Sequence, residues 1–323
     1  MLAHEIIKGR VLAGESIGKT EALELCAAPL DELCAAADVI RWKFCGSAFD
    51  LCSIINAKSG RCPENCKFCA QSAHYHTNAE EYPLLPAGDM VALAKHNAEN
   101  GILRFSLVTS GERLTDAEVD EVCERVREIR KNAKISVCVS LGLLSEEQFR
   151  RLKEAGVERV HNNLETSRRF FPQVCTTHKY DDKIAVLKAA QNAGLSVCSG
   201  GIIGLGESME DRIDMALEVR SLGVRSVPLN VLNPIPGTPF EHNEKLPYDE
   251  IRKTAAIFRF LLPNASIRLA GGRGLMSDKG KACFQSGANA AISGDMLTTT
   301  GVTIEEDMKI VKKLGYEPQL WNA

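Results

Sequence analysis

The chain has 323 residues, is 45% hydrophobic and 25% charged, and carries a formal net charge of −3. Such a length and apolar share suit a large-cored α/β barrel, and the near-balance of charge offers no basic field for nucleic acid. No apolar run is long enough to span a membrane and no cationic leader opens the chain, so a cytoplasmic protein is expected.

In chain order, MLAHEIIKGRVLAG reads as an amphipathic helix, and residues 1–50 as a helical extension. From 51 to 323, short β-branched runs alternate with helical stretches. The strand candidates are 51–58, 104–110, 134–140, 158–164, 195–201, 225–232, 266–272 and 289–294. Helix-like stretches cover 87–100, 115–131, 145–155, 181–193, 208–222, 247–261, 276–286 and 303–314. Thr115 and Ser145 stand at cap positions. Gly101, Gly156, Gly194 and Gly223 stand where a helix must end before the next strand. Eight strands alternating with eight helices predict a (β/α)8 TIM-type barrel with an N-terminal helical extension. An open, doubly wound sheet has the same alternation, and periodicity alone does not separate the two.

The run GRCPENCKFCAQS spaces Cys62, Cys66 and Cys69 as C-x3-C-x2-C. A four-iron cluster has four metal corners, and thiolate is its usual ligand. Three thiolates leave one iron open to a substrate or cofactor. Zinc is the competing occupant, because His74 and His76 follow closely and could complete a tetrahedral set. Twelve cysteines in a chain of this length argue for metal ligation or quiet burial, not for a disulfide framework. Cys26, Cys34, Cys45, Cys52, Cys123 and Cys283 are read as buried, small apolar residues.

More chemistry-bearing residues fall at or near the strand ends. Ser110-Gly111-Glu112 follows the second strand, and Cys138 lies in the third. Asn162, Asn163 and Glu165 end the fourth, with Cys175 in the loop beyond. Cys198 ends the fifth, Asn230 lies in the sixth and Arg268 in the seventh. The active sites of such barrels are built at the C-terminal ends of the strands, so these residues are expected to meet in one catalytic mouth. GLGE at 204–207 has too few glycines to be a phosphate loop.

From about residue 50 onward the chain resembles the biotin synthases, a family of radical S-adenosylmethionine (SAM) enzymes. The strings that carry the resemblance are SIINAKSGRCPENCKFCAQS, VSLGLLS, HNNLETS, CTTHKY, VCSGGIIGLGES, SVPLNVLNPIPGTP, IRLAGGR and MLTTTG. The cysteine triad alone indicates only the radical SAM superfamily. The resemblance implies an enzyme that inserts sulfur between C6 and C9 of dethiobiotin to form biotin. It implies a 4Fe-4S cluster on Cys62, Cys66 and Cys69 whose open iron holds SAM. Phe68 would then meet the adenine by its backbone, Glu165 the ribose, and Ser110 and Glu112 the amino group. Lys183 stands where an arginine near SAM is common, and Asn163 and Asn230 match contacts to dethiobiotin. An amide side chain suits a ureido ring, since it both donates and accepts.

The resemblance also implies a second, auxiliary iron–sulfur cluster whose sulfide is inserted. Cys138, Cys198 and Arg268 match three of its usual ligands. The fourth position, normally a cysteine on the second strand, is Ser106, and a serine oxygen is a hard ligand for soft iron–sulfur chemistry. The expectation is that Cys175 replaces it, and that the cluster is 2Fe-2S or a larger four-iron type. An electron donor such as flavodoxin or ferredoxin, and a homodimer, are implied by the resemblance alone. Competing readings are another radical SAM enzyme, of the hydrogenase-maturase or methylornithine-synthase type, and a non-catalytic iron–sulfur or zinc protein.

Overall fold

The computed structural model describes residues 2–321; the outer bounds of the expected domains, residues 1 and 323, lie outside them. Three helices come first: α1 (Ala3–Leu12), α2 (Lys19–Leu25) and α3 (Leu30–Cys45). On α1, His4, Ile7 and Val11 are buried at helical spacing. The parallel strands that follow are β1 (Ala48–Lys58), β2 (Arg104–Thr109), β3 (Ser136–Ser140), β4 (Arg159–His161), β5 (Ser196–Cys198), β6 (Gly201–Ile203), β7 (Ser226–Val231), β8 (Ser266–Leu269) and β9 (Ala290–Ile292). β5 and β6 are two pieces of the fifth strand, and both pair with β7. β9 pairs with β1 through Asp50–Ala290, Leu51–Ala291 and Cys52–Ile292. That pairing closes the sheet into an eight-stranded barrel and excludes the open alternative.

Between the strands run α4 (Ala87–Glu99), α5 (Asp116–Asn132), α6 (Glu146–Ala155), α7 (Phe171–Val174), α8 (Tyr180–Asn192), α9 (Met209–Ser221), α10 (Tyr248–Leu261) and α11 (Lys281–Phe284). α12 (Ile304–Lys313) and a two-residue strand β10 (Glu317–Pro318) on β1 finish the chain. Thr115 and Ser145 both cap their helices by accepting from the third backbone amide. Gly156 ends α6 at φ 106°, a conformation that side chains resist.

Several boundaries differ from expectation. β1 begins at Ala48, so the barrel starts before residue 51. The helix expected over 276–286 shrinks to α11, because Lys279 and Gly280 both have positive φ and Asp278 caps the amides of Gly280 and Ala282. The fifth strand breaks at Ser199-Gly200, where the amide of Gly200 is taken by Asn163 Oδ1 (3.2 Å). The short α7 and β10 were not expected.

Strand alternation sorts the residues by side. Phe49, Leu51, Phe105, Leu107, Val137, Val139, Val160, Val227, Ile267 and Leu269 are buried in the main apolar core, under the surrounding helices. The opposite set looks inward, and much of it is polar: Asp50, Cys52, Arg104, Ser106, Cys138, Arg159, His161, Cys198, Ser226 and Arg268. The barrel therefore has its apolar packing outside the sheet and a polar lining within.

Candidate active site

The floor of the barrel is built on one carboxylate. Asp50 is fully buried and is met by Arg104 Nε at 3.0 Å, Arg268 Nη2 at 3.3 Å and Arg159 Nη1 at 3.9 Å. Burial works against the Asp50 anion, but the three guanidinium charges prevail and lower its pKa. Three cations against one anion leave a formal charge of about +2 at the floor. Above them lie Cys138 and Cys198, 4% and 7% exposed. Burial pushes the Cys138 thiol up, opposed by Arg159 and Arg104. For Cys198, burial is overcome by His161 at its sulfur and by the Arg268 and Arg159 charges, which bring it down to about 7. Ser226 Oγ also donates to Cys198 Sγ at 3.2 Å. Ser106 pairs with Cys138 across β2 and β3 and lines the same cavity.

The mouth is formed at the C-terminal strand ends. Phe68, Cys69, Asn163, Glu165 and Asn230 line the cavity there, together with Met296 and Leu297 from the loop after β9. Glu165 has φ 70°, unusual for a side-chain-bearing residue, and its backbone bridges to Gly200 and Ile202. A Cβ at Gly201 would drive into the Glu165 carbonyl oxygen, and one at Gly200 into that of Pro228. The CSGG string is thus a close-approach device that holds Glu165 at the rim. Its Oε2 is buried without a hydrogen-bond partner. Burial pushes this carboxyl up, opposed by Lys183, His161 and His178.

Asn230 donates to Gly201 O (3.0 Å) and accepts from Gly271 N (2.9 Å). Both asparagines thus do the structural work of satisfying strand-end backbone. Each amide can make further bonds, and each faces the cavity.

Cys62, Cys66 and Cys69 lie on the loop after β1, tied by Cys69 N to Cys66 O and Ala73 N to Cys62 O. The Gly111 amide reaches the Cys62 sulfur and favours its thiolate against the dominant effect of burial. The Ser110-Gly111-Glu112 turn contributes by this backbone. Ser110 Oγ donates to Gly60 O (2.8 Å), and Glu112 turns to Arg113 (3.0 Å). Neither of these side chains, both expected to reach a bound cofactor, is among the residues that line the cavity. Lys183, on α8, acts electrostatically on Cys66 and Glu165.

Cys175 is not where it was expected. Its sulfur lies with Cys66 and His178, the three ligand atoms within 4.8 Å of one another, and 3.4 Å from both Asn65 Oδ1 and Thr177 Oγ1. Cys66, with Thr177 and His178, favours its thiolate and brings it down to about 3. It therefore belongs to the mouth and does not join Cys138 and Cys198. The physical reason is the short α7, which turns the chain after β4 back over the cysteine loop, where Lys67 N donates to Val174 O. Cys52 was read as quiet packing, yet it lines the cavity floor. The signal that could have found it was parity, since Cys52 falls on the same side of its strand as Asp50. Of the two histidines expected to complete a zinc site, His74 is exposed and bound to Pro63 O (2.8 Å). GLGE is closed by its own carboxylate, as Glu207 accepts from the amides of Gly204 and Leu205.

The closed barrel with a three-thiol loop at its mouth defines a radical SAM enzyme. The radical SAM superfamily model matches residues 57–219, and the biotin and thiamin synthesis associated domain matches 228–317. The chain is 60% identical to biotin synthase 2 of Corynebacterium diphtheriae over 96% of this chain and 94% of that one. It is 56% identical to biotin synthase of Brachyspira hyodysenteriae over 97% and 94%. The chain belongs to the biotin synthase family, the radical SAM enzymes of sulfur insertion. Methylornithine synthase superposes with a TM-score of 0.83 at 17% identity, covering 97% of each chain. A FeFe-hydrogenase maturase from Carboxydothermus hydrogenoformans superposes at 0.82 and 17%, covering 98% of this chain and 79% of that one. At that identity these two share the fold alone.

Proposed function

We propose that this chain converts dethiobiotin to biotin, with SAM as co-substrate and an interior cluster as sulfur source. The observation that carries the reading is vertical order within one barrel. A three-thiol loop stands at the mouth, two cavity-facing asparagines stand below it, and a second set of thiols and guanidinium groups lies on the floor. When bound, the loop cluster supplies the electron that cleaves SAM, and the interior cluster supplies sulfur to the activated carbons.

The chain's own residues would divide the work as follows. Cys62, Cys66 and Cys69 would hold the loop cluster. Three soft thiolates suit iron–sulfur ligation, and the unpartnered Glu165 Oε2 suits a ribose hydroxyl. Phe68, half-buried against Val174, Leu205 and Leu232, offers backbone and ring to an adenine. Lys183 balances the anionic charge of Glu165 and the loop thiolates. Asn163 and Asn230 would meet the ureido ring with the amide valences left after their backbone bonds. Cys138, Cys198 and Arg268 would hold the interior cluster. The guanidinium, bound to Asp50 O (2.8 Å) and Ala291 O (3.0 Å), stays protonated and donates. We extend the reading to a small redox-protein donor, to a homodimer and to a reducing cytoplasm. Twelve unpaired cysteines fit that compartment. No described helix is long and apolar enough to cross a membrane.

The test is product analysis under anaerobic conditions, with SAM, a strong reductant and dethiobiotin. Biotin and 5′-deoxyadenosine are the expected products. Cys62→Ala, Cys66→Ala and Cys69→Ala together should abolish 5′-deoxyadenosine while the far-UV circular dichroism is retained, because a core of this size does not depend on metal. Dethiobiotin that fails to alter SAM cleavage would remove the substrate assignment.

A further inference from the structure

We propose that Cys52 is a ligand of the interior cluster, supplying from the first strand the thiolate that the second strand lacks at Ser106. This rests on the sulfur-insertion reading and extends it to a residue of β1. The orientation is settled by its neighbours. Leu51 is buried in the outer apolar core, and Ser53 Oγ accepts from Asn97 of α4 (2.8 Å), so both point away from the axis. Cys52 lies between them, faces inward, and lines the cavity with Ser106, Cys138, Cys198 and Arg268.

Its position on the wall suits a shared ligand set. Cys52 pairs with Arg104 on β2 and with Ile292 on β9, while Ser106 pairs with Ile54. Cys52 therefore sits one inward step below the position opposite Ser106. A 4.8 Å strand spacing and two residues of rise put the two Cα atoms about 8 Å apart on a diagonal. A thiol moved from 106 to 52 stays on the same patch of wall, at a slightly deeper level. Cys175 has no such relation to that patch.

The surroundings of Cys52 are wrong for a packing thiol. A quietly buried cysteine behaves as a small hydrophobe among apolar neighbours. Here the floor around it holds Asp50, Arg104, Arg159 and Arg268, and its Sγ makes one weak contact, to Ser53 O at 3.4 Å. Arg104 Nη2 is buried without a hydrogen-bond partner, and Arg268 Nη2 has Asp50 Oδ1 at 3.3 Å as its ion-pair contact. A buried donor left over on a floor of net positive charge is matched by an anionic group with several acceptor atoms, such as thiolates and bridging sulfides. With Cys138 and Cys198, Cys52 makes three floor thiolates, leaving Arg268 as a donor to the cluster and not an iron ligand.

The experiment counts interior iron without relying on turnover. In the Cys62→Ala/Cys66→Ala/Cys69→Ala background, anaerobic reconstitution loads only the barrel floor. Iron, acid-labile sulfide and the electronic spectrum then report that cluster alone. Adding Cys52→Ala should lower interior iron and sulfide by about tenfold or more, and adding Cys175→Ala should leave both unchanged. Cys52→Ser guards against a packing defect, and should lose the cluster while keeping the thermal midpoint of the metal-free parent. Cys52→Ser combined with Ser106→Cys should regain it. Unchanged interior iron in Cys52→Ser overturns the proposal, as does loss of interior iron in Cys175→Ala. A parent background that binds no interior iron overturns the sulfur-source reading and this inference together.

Discussion

Asp50→Asn isolates the electrostatics of the barrel floor. The substitution keeps volume and removes the carboxylate that faces Arg104, Arg159 and Arg268. All four residues are at most 3% exposed, so solvent screens little. Breaking a buried ion pair by removing one partner costs about 3–5 kcal/mol, because the other charge is left uncompensated. Asparagine can still accept one bond from Arg104, which places the expected loss near the lower end, about 3 kcal/mol. Proteins somewhat smaller than this one lose about 2–4 °C per kcal/mol, which for about 3 kcal/mol corresponds to a fall of about 6–12 °C. The measurement is thermal unfolding of chelated, metal-free protein by circular dichroism. With the interior cluster loaded, its negative charge faces the same arginines, and the deficit should shrink. A fall of less than about 2 °C in the metal-free protein would refute the view that Asp50 holds the floor together.

Glu165→Gln should weaken SAM binding by about tenfold, the cost of an impaired buried hydrogen bond. It should not lower the thermal midpoint, since the carboxylate oxygen it replaces has no partner; equilibrium dialysis with the loop cluster loaded reads the first effect. Gly201→Ala should displace Glu165 and reduce SAM cleavage and SAM affinity together, because the new Cβ meets the Glu165 carbonyl; unaltered affinity would show that the rim tolerates movement. Asp211 is held down to about 2: burial opposes its charge, but bonds from Ser167, Ser208 and Arg169 prevail. A lowered folded pKa means that its stabilisation is present above its ordinary value of 3.8 and lost as the pH falls toward 2. Asp211→Asn should therefore flatten stability over that window, as read by urea midpoints against pH.

Local patterns in the sequence determined the secondary structure and the mouth loop. Thr115 and Ser145 announce their helices because a cap bonds to an amide three residues away, and Cys62, Cys66 and Cys69 sit within one loop. The alternation of strand and helix likewise needs only near neighbours. Closure of the barrel was not legible, because it depends on Asp50 pairing with Ala290 from the far end of the chain. The break at Lys279 and Gly280 was missed for the opposite reason: helical spacing of apolar residues hid a local turn that Asp278 caps. The division of cysteines was decided by tertiary structure alone. Cys52 lies within β1 and Cys175 just after α7, in the connection that follows β4, and spacing cannot say which of them faces the mouth and which the floor. α7 folds Cys175 back onto Cys66, and the register of β1 turns Cys52 toward the axis among Cys138, Cys198 and Arg268. The sequence supplied the donors, and packing between distant strands decided which of them share a cavity.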